Sequence, residues 1–297
     1  MAWREQLTLD ELDKDDFDLL LAGWTATDRA AHMFWRYRDP KHPLYTAEGN
    51  ARYGRALEDV YTRMDEIVGK VMGKVKENDL LMVLSDHGFH SYRTGFAVNT
   101  WLVRNGYMTL KGQSDAGTAS SDAPYLRDVD WSGTQAYGLG LSSVYLNLVG
   151  REGQGIVSAA EASKVRTELK EKLMAVTDPA TGDKVFRSVQ TCDEAYKGAS
   201  MEDAPDLILG YNEGYQVAKP SASGAAPEQL FAPNDDKWSG EHAGSDPAIT
   251  PGILFANQPL KDGATLVDLG VTTLEYLGCA AVPDDYEGRS LLVSEAG

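Results

Sequence analysis

One stretch of the chain constrains its fold more than any other: a long amphipathic segment running into a wholly apolar pentapeptide. From about Gly49 to Val75, Leu57, Val60, Tyr61, Met64, Ile67, Val68, Val71, Met72 and Val75 recur at steps of three and four, which places them on one face of a helix. Asn78-Asp79 breaks the period. Leu80 to Leu84 (LLMVL) then offers apolar side chains to both faces of a strand, the pattern of a sheet covered on both sides. Upstream, Phe17 to Ala22 (FDLLLA), bounded by acidic residues and Gly23, reads as a second buried strand. Strand, helix and strand in that order predict a βαβ unit with parallel pairing, and so an α/β fold.

The remaining segments continue the alternation. Trp101-Leu102-Val103 reads as a short helix and Gly112 to Pro124, rich in Gly, Ser, Asp and Ala, as a loop. Val144 to Val149 alternates like a half-exposed strand. Ser158 to Val176 is a helix opened by a capping box of Ser158 and Glu161, with Val165, Leu169, Leu173 and Val176 turned inward. Asp206 to Gly210 and Gly252 to Ala256 read as two more buried strands, separated by a polar segment between Pro220 and Asp236, and Leu266 to Leu277 as a last helix before Gly278. No internal repeat is visible.

Composition narrows the function classes. With 28 Lys and Arg against 45 Asp and Glu, the 297 residues carry a formal charge of −17. A nucleic-acid polymer or an anionic membrane surface would repel such a chain at long range, so neither is expected as a partner. The 42% of hydrophobic residues is a globular share. No window approaches the roughly 18 apolar residues of a membrane span. The opening MAWREQLTLDELDKDD holds no signal-like apolar run, so a cytoplasmic location is expected. Cys192 and Cys279 are too few for a disulfide framework or a thiolate zinc site and read as buried small residues.

The chemistry gathers where predicted strands end. In Thr27-Asp28-Arg29-Ala30-Ala31-His32 an Asp and a His stand four apart, so on a helical turn both project from one side and can grip one metal ion. In Ser85-Asp86-His87-Gly88 the glycine lets the backbone turn so that neighbouring carboxylate and imidazole both reach a cation. Trp238-Ser239-Gly240-Glu241-His242-Ala243-Gly244 presents one His on a loop of small residues. Each has a plainer alternative: Asp28 as a helix cap, His32 as a surface ring, His242 as a loop histidine. Their combination weighs more, because three of only five histidines fall beside Asp or Gly at the strand-end rim where α/β sheets place their sites. His90 and Arg93 read as a surface loop, the alternative being groups that support a metal ligand or touch phosphate, and His42 reads as a loop residue. Tyr137-Gly138-Leu139-Gly140 is a lone G-x-G, and no Walker A, H-E-x-x-H or G-x-S-x-G motif is present.

In this order and at these intervals, D-x-x-x-H, S-D-H-G and G-E-H resemble the alkaline phosphatase superfamily. The likeness is greatest to its branch of type I phosphodiesterases, nucleotide pyrophosphatases and predicted phosphohydrolases and phosphomutases. The flanking TDRAAHMFWR, the helix ahead of SDHGF, and the AVNTWLVRNGYMTLK and EDAPDLILGYNEGY segments extend it over nearly the whole chain. The resemblance implies a mixed, mostly parallel sheet flanked by helices, with a variable insert and two divalent metal ions at the sheet rim, zinc or sometimes manganese. Carried over, Asp28, His32 and His242 would hold one ion, while Asp86 and His87 would supply two ligands of the other.

The family also takes a further Asp from an N-terminal strand and a Ser or Thr nucleophile from a helix start far upstream. Only 27 residues precede Asp28, and none of Thr8, Thr25 or Thr27 has the strand-to-helix setting of such a nucleophile. No catalytic nucleophile is therefore assigned, and the second metal site is expected to be incomplete. The chain is expected to correspond to the C-terminal two thirds of a family member, lacking the N-terminal strands. The expected division is residues 1–99 as metal-binding core, 100–236 as the variable, substrate-selecting insert, and 237–297 as the return to the core with the last ligand loop. The expected function is metal-dependent hydrolysis of small-molecule phosphate mono- or diesters, incomplete without a missing N-terminal segment. A non-catalytic metal-binding half that assembles with a partner chain or oligomer, and a phosphomutase of the same superfamily, are the alternatives.

Overall fold

The architecture follows from where apolar periods find cover, and a computed structural model describes it for residues 1–112, 119–279 and 286–293. Residues 113–118 of the segment Gly112–Pro124, expected from the sequence to be a loop, lie outside the described residues. Two units emerge. The first comprises Met1–Ala30, Ala56–Gly88 and Pro251–Gly297, the second Ala31–Arg55 and Phe89–Thr250.

The chain begins with α1 (Ala2–Lys14), whose one buried residue, Glu5, receives Lys70 at 2.6 Å as well as Arg63. Phe17 to Ala22 follows, and here the expected strand does not form: the segment makes no sheet pairing and Leu21 is 84% exposed. Apolar content alone says nothing about whether a partner strand is at hand. Then come α2 (Ala26–Phe34), α3 (Ala47–Tyr53), whose N-cap Thr46 accepts from Gly49 N, and α4 (Ala56–Met72). The helix expected from Gly49 to Val75 is thus two helices parted at Gly54-Arg55, and the apolar period belongs to the second, since it starts only at Leu57. After β1 (Met82–Leu84) and β2 (His90–Phe96), α5 (Val98–Arg104) buries Val98, Leu102 and Val103 around Trp101. The chain continues with β3 (Ala136–Gly138), β4 (Ser143–Leu146), α6 (Ala159–Met174), β5 (Phe186–Thr191) and α7 (Cys192–Ala195). It ends with β6 (Leu207–Tyr211), β7 (Gly214–Val217), α8 (Lys219–Ala222), β8 (Phe231–Pro233), β9 (Gly240–Glu241), β10 (Leu254–Ala256) and α9 (Asp268–Tyr276).

In the first unit β1 pairs antiparallel with β10, Met82 opposite Ala256 and Leu84 opposite Leu254. This replaces the expected parallel βαβ pairing. The expected cover on both faces is absent too, since no residue of β1 is buried and Leu84 is exposed; an apolar run fixes neither the direction of its neighbour nor whether a covering layer is at hand. β10 lies where Gly252 to Ala256 was read as a strand, but it is not buried, with Phe255 64% exposed.

The second unit holds the larger core. One sheet runs β7-β2-β8, with β9 also on β2; another runs β3-β4-β6-β5. Leu169 and Leu173 of α6 are fully buried in a cluster with Phe96, Leu146, Phe186, Leu207 and Leu209. The capping box of Ser158 and Glu161 is present, so cap and apolar stripe agree on where α6 starts and what it covers. The mixed α/β architecture stands, while its pairing is a correction: β2 and β7 are parallel, and the other pairs between described strands are antiparallel. Connections such as β3 to β4 are too short for the crossover that parallel strands require. Cys192 is half-buried and Cys279 exposed, both as free thiols, rather than buried. No described helix is long and apolar enough to cross a membrane.

Candidate metal centre

The spacing of Asp28 and His32 on α2 puts both side chains on one side of the helix, a turn apart. What meets them is a loop from the far end of the sequence. Ser239, fully buried, donates from its backbone N at 2.6 Å and its Oγ at 3.0 Å to the His32 carbonyl, and its Oγ accepts from Arg36 N at 3.1 Å. β9 continues the loop on β2, with Ser91 opposite Gly240 and His90 opposite Glu241. Gly240 lies so close to α2 that an added Cβ would stand 2.4 Å from the Ala31 carbonyl oxygen. Only glycine lets the two backbones approach this far.

His32 is held on every side. It is 3% exposed, and its Nδ1–H donates to the Gly240 carbonyl at 2.7 Å, which leaves Nε2 as the lone-pair nitrogen. The Trp238 indole stacks on it at 3.6 Å and 23°, Phe89 meets it edge-on at 4.8 Å, and the His242 ring centre lies 5.2 Å away. Glu241 braces the last residue of this set: its Oε1 accepts from His242 N and Ala243 N at 3.0 and 3.3 Å, and its Oε2 accepts from Trp238 Nε1 at 3.0 Å.

Asp28, His32 and His242 thereby bring one donor atom each to within 4.8 Å of one another, the one such group of three among the described residues. Two imidazoles and a carboxylate form a donor set suited to zinc or manganese. Donors bound at about 2.1 Å lie at most about 4.2 Å apart, so adjustments on the order of 1 Å would seat an ion. The residues present fit a divalent metal.

The other residues singled out in the sequence lie as follows. Asp86 and His87 adjoin each other after β1, His87 Nε2 standing 3.5 Å from Asp86 Oδ2, and are not part of the three-donor group. His90 and Arg93 are corrections, for they sit in β2 rather than on a surface loop. His90 is buried, with Nε2 2.7 Å from Ser245 Oγ and Nδ1 accepting from Gly214 N at 3.1 Å; burial pushes its pKa down. Arg93 pairs with Asp39 at 2.6 Å and Glu213 at 3.2 Å. His42 is in a loop as read, though buried, its Nδ1 accepting from Leu44 N and its pKa lowered chiefly by burial. Thr25 directly precedes α2, and its carbonyl accepts from Arg29 N, so it does stand at a helix start, though no strand leads into it.

Residues 2–246 match the family described as type I phosphodiesterase / nucleotide pyrophosphatase. The chain belongs to this family. Membership places it in the alkaline phosphatase superfamily and gives it the character of a phosphoester hydrolase. No curated protein matches the chain. Trp238, Ser239 and Ser245 were not singled out as functional in the sequence. The clue available was the small-residue run around Gly240, which marks a close backbone approach without saying to what.

Proposed function

We propose that this type I phosphodiesterase family member is a metal-dependent hydrolase of small phosphate mono- or diesters, with one zinc or manganese ion held by Asp28, His32 and His242. Asp86 and His87 would supply two ligands of a second ion. The observation that carries the reading is the gathering of those three donors from α2 and a loop more than 200 residues later in a chain of this family. When bound, divalent ions neutralise the non-bridging phosphate oxygens and lower the pKa of an attacking oxygen. The protein's part is positional. The Gly240 carbonyl holds the His32 tautomer, Glu241 fixes the His242 backbone, and Trp238 and Phe89 keep water from the His32 ring. An acidic chain can take an anionic ester this way because the ions set the local field.

The reading extends to rate. With no nucleophile assigned among Thr8, Thr25 and Thr27 and only two ligands for a second ion, turnover by these 297 residues alone is expected to fall several orders of magnitude below that of a complete two-metal site. Supplying a segment with the further Asp and a Ser or Thr should restore it. One observation favours a second reading, assembly with another chain: the two-stranded β1–β10 sheet leaves Leu84 and Phe255 exposed.

The test is zinc titration by calorimetry with the parent, His32→Ala and His242→Ala, beside hydrolysis of a nitrophenyl phosphodiester. One ion should bind more tightly than a second, each substitution should weaken the tight site, and chelator should abolish the slow hydrolysis. Zinc affinity unchanged in both variants, or hydrolysis indifferent to chelator, would reject the proposal.

A further inference from the structure

A cleft of about 370 Å³ lies in the second unit, lined by Tyr92 of β2, Leu141, Gln216 and Val217 of β7, Lys219 and Ala222 of α8, and Asp236, Trp238 and Glu241. It shares a wall with the three-donor group, because Trp238 stacks on His32 and Glu241 precedes His242. Resting on the phosphoester reading above, we infer that this cleft seats the organic group of the ester and selects an uncharged, planar one over a leaving group that carries further phosphates.

The argument lies in how the polar lining is already used. Lys219 Nζ is paired with Asp236 Oδ2 at 2.5 Å, and Asp236 Oδ1 accepts from Trp238 N at 3.0 Å. Both Glu241 oxygens accept hydrogen bonds, one of them from the Trp238 indole. Gln216 accepts from Val217 N through Oε1 and donates to the Ala243 carbonyl through Nε2; the Tyr92 hydroxyl donates to the Val217 carbonyl. The one lysine is therefore neutralised by an aspartate, and Glu241 leaves the lining with a formal charge of −1. A second phosphate would meet that charge without a cation to receive it. Among the apolar lining, Val217 is buried in the core and Ala222 packs against it, while exposed Leu141 and the partly exposed indole of Trp238, which stacks on His32, offer the accessible apolar wall. Such a wall gains by covering a planar apolar group.

The experiment uses the full chain, with and without zinc, and three non-hydrolysable probes: phenylphosphonate, methylphosphonate and methylenediphosphonate. Benzyl alcohol serves as a probe without phosphate. Binding is read by calorimetry and by saturation-transfer NMR in the parent and in Leu141→Asp, an exposed position whose change leaves the core intact. With zinc, phenylphosphonate should bind about tenfold or more tighter than the other two phosphonates, and Leu141→Asp should erase that advantage while zinc affinity stays as in the parent. Benzyl alcohol should receive saturation in the parent with or without zinc, and lose it in the variant. Tighter binding of methylenediphosphonate, or a phenyl preference untouched by Leu141→Asp, overturns the inference. Absence of zinc binding with the benzyl alcohol signal intact would defeat the metal reading and leave the cleft assignment supported; the reverse pattern would defeat the cleft alone.

Discussion

Replacing Gly240 with Ala tests the approach between α2 and the His242 loop at its tightest point. The new methyl would stand 2.4 Å from the Ala31 carbonyl oxygen and 3.3 Å from Trp35 Cβ, where real Cβ atoms essentially never come nearer than 3.0 Å. The obstacle is backbone, which cannot swing aside as a side chain does, so loop and helix must part by at least about 0.6 Å. That displacement is about three times the tolerance of roughly 0.2 Å on metal–ligand distances. It also lengthens the Nδ1 bond from His32 to the Gly240 carbonyl, now 2.7 Å. Overpacking of this kind costs about 1–3 kcal/mol, and loss of an imidazole's supporting bond typically weakens metal affinity by about 10- to 100-fold. Urea unfolding and zinc calorimetry measure the two effects separately. Gly153→Ala is the control, since a Cβ there meets nothing within 4 Å. If Gly240→Ala unfolds at the parent midpoint and binds zinc with parent affinity, the close approach is not what sets the His32–His242 geometry and the reasoning fails.

Three further outcomes are expected. Burial alone would raise the pKa of Asp39, but hydrogen bonds from Arg93 and from the Lys41 N–H outweigh it and hold the carboxyl below its ordinary range. Its stabilisation is then whole above the unfolded value of about 3.9 and fades as pH falls through the lower folded value. Asp39→Asn should cost about 2 kcal/mol at pH 7, with the gap to the parent closing toward pH 2; urea melts showing a constant gap would contradict this. Leu169→Ala, at a fully buried position of α6, should cost about 2–5 kcal/mol in the same melts, and a loss under 1 kcal/mol would show that α6 is not seated in the core. Amide exchange should be faster in β1 and β10 than in β5 and β6, because a two-stranded sheet is marginal and a four-stranded one with a covering helix is not; equal protection would refute it.

What could be read from the sequence divides along the range of the forces involved. α6 was legible because its cap, Ser158 with Glu161, and its stripe of Leu169 and Leu173 are local. Asp28 and His32 were legible as a pair for the same reason, one helical turn joining them, while His242 entered through the order of the motifs. β2 was not legible. His90–Phe96 (HSYRTGF) shows no alternation, because β7, β8 and β9 all pair with it and bury polar and apolar residues alike. Phe17 to Ala22 misled in the opposite sense, since its composition satisfies a strand while no described strand pairs with it. Trp238 and Ser239 act through contacts with residues some 200 positions earlier, which no local pattern encodes.

The hydrogen bond between His32 and Gly240 spans 208 residues. At synthesis rates of about 5–20 residues per second, roughly 10 to 40 s separate the emergence of its two ends from the ribosome. Through that interval the last turn of α2 carries His32 and its aromatic neighbours without their cover, and the loss of chain entropy on closing so long a segment falls due late. On the proposed metal site, an ion whose ligands come from both ends of so long a segment would not serve as the nucleus of folding, as it does where ligands are close in sequence. Full affinity at the proposed site would instead mark a chain that has finished folding, and zinc supplied early in refolding should leave the rate unchanged.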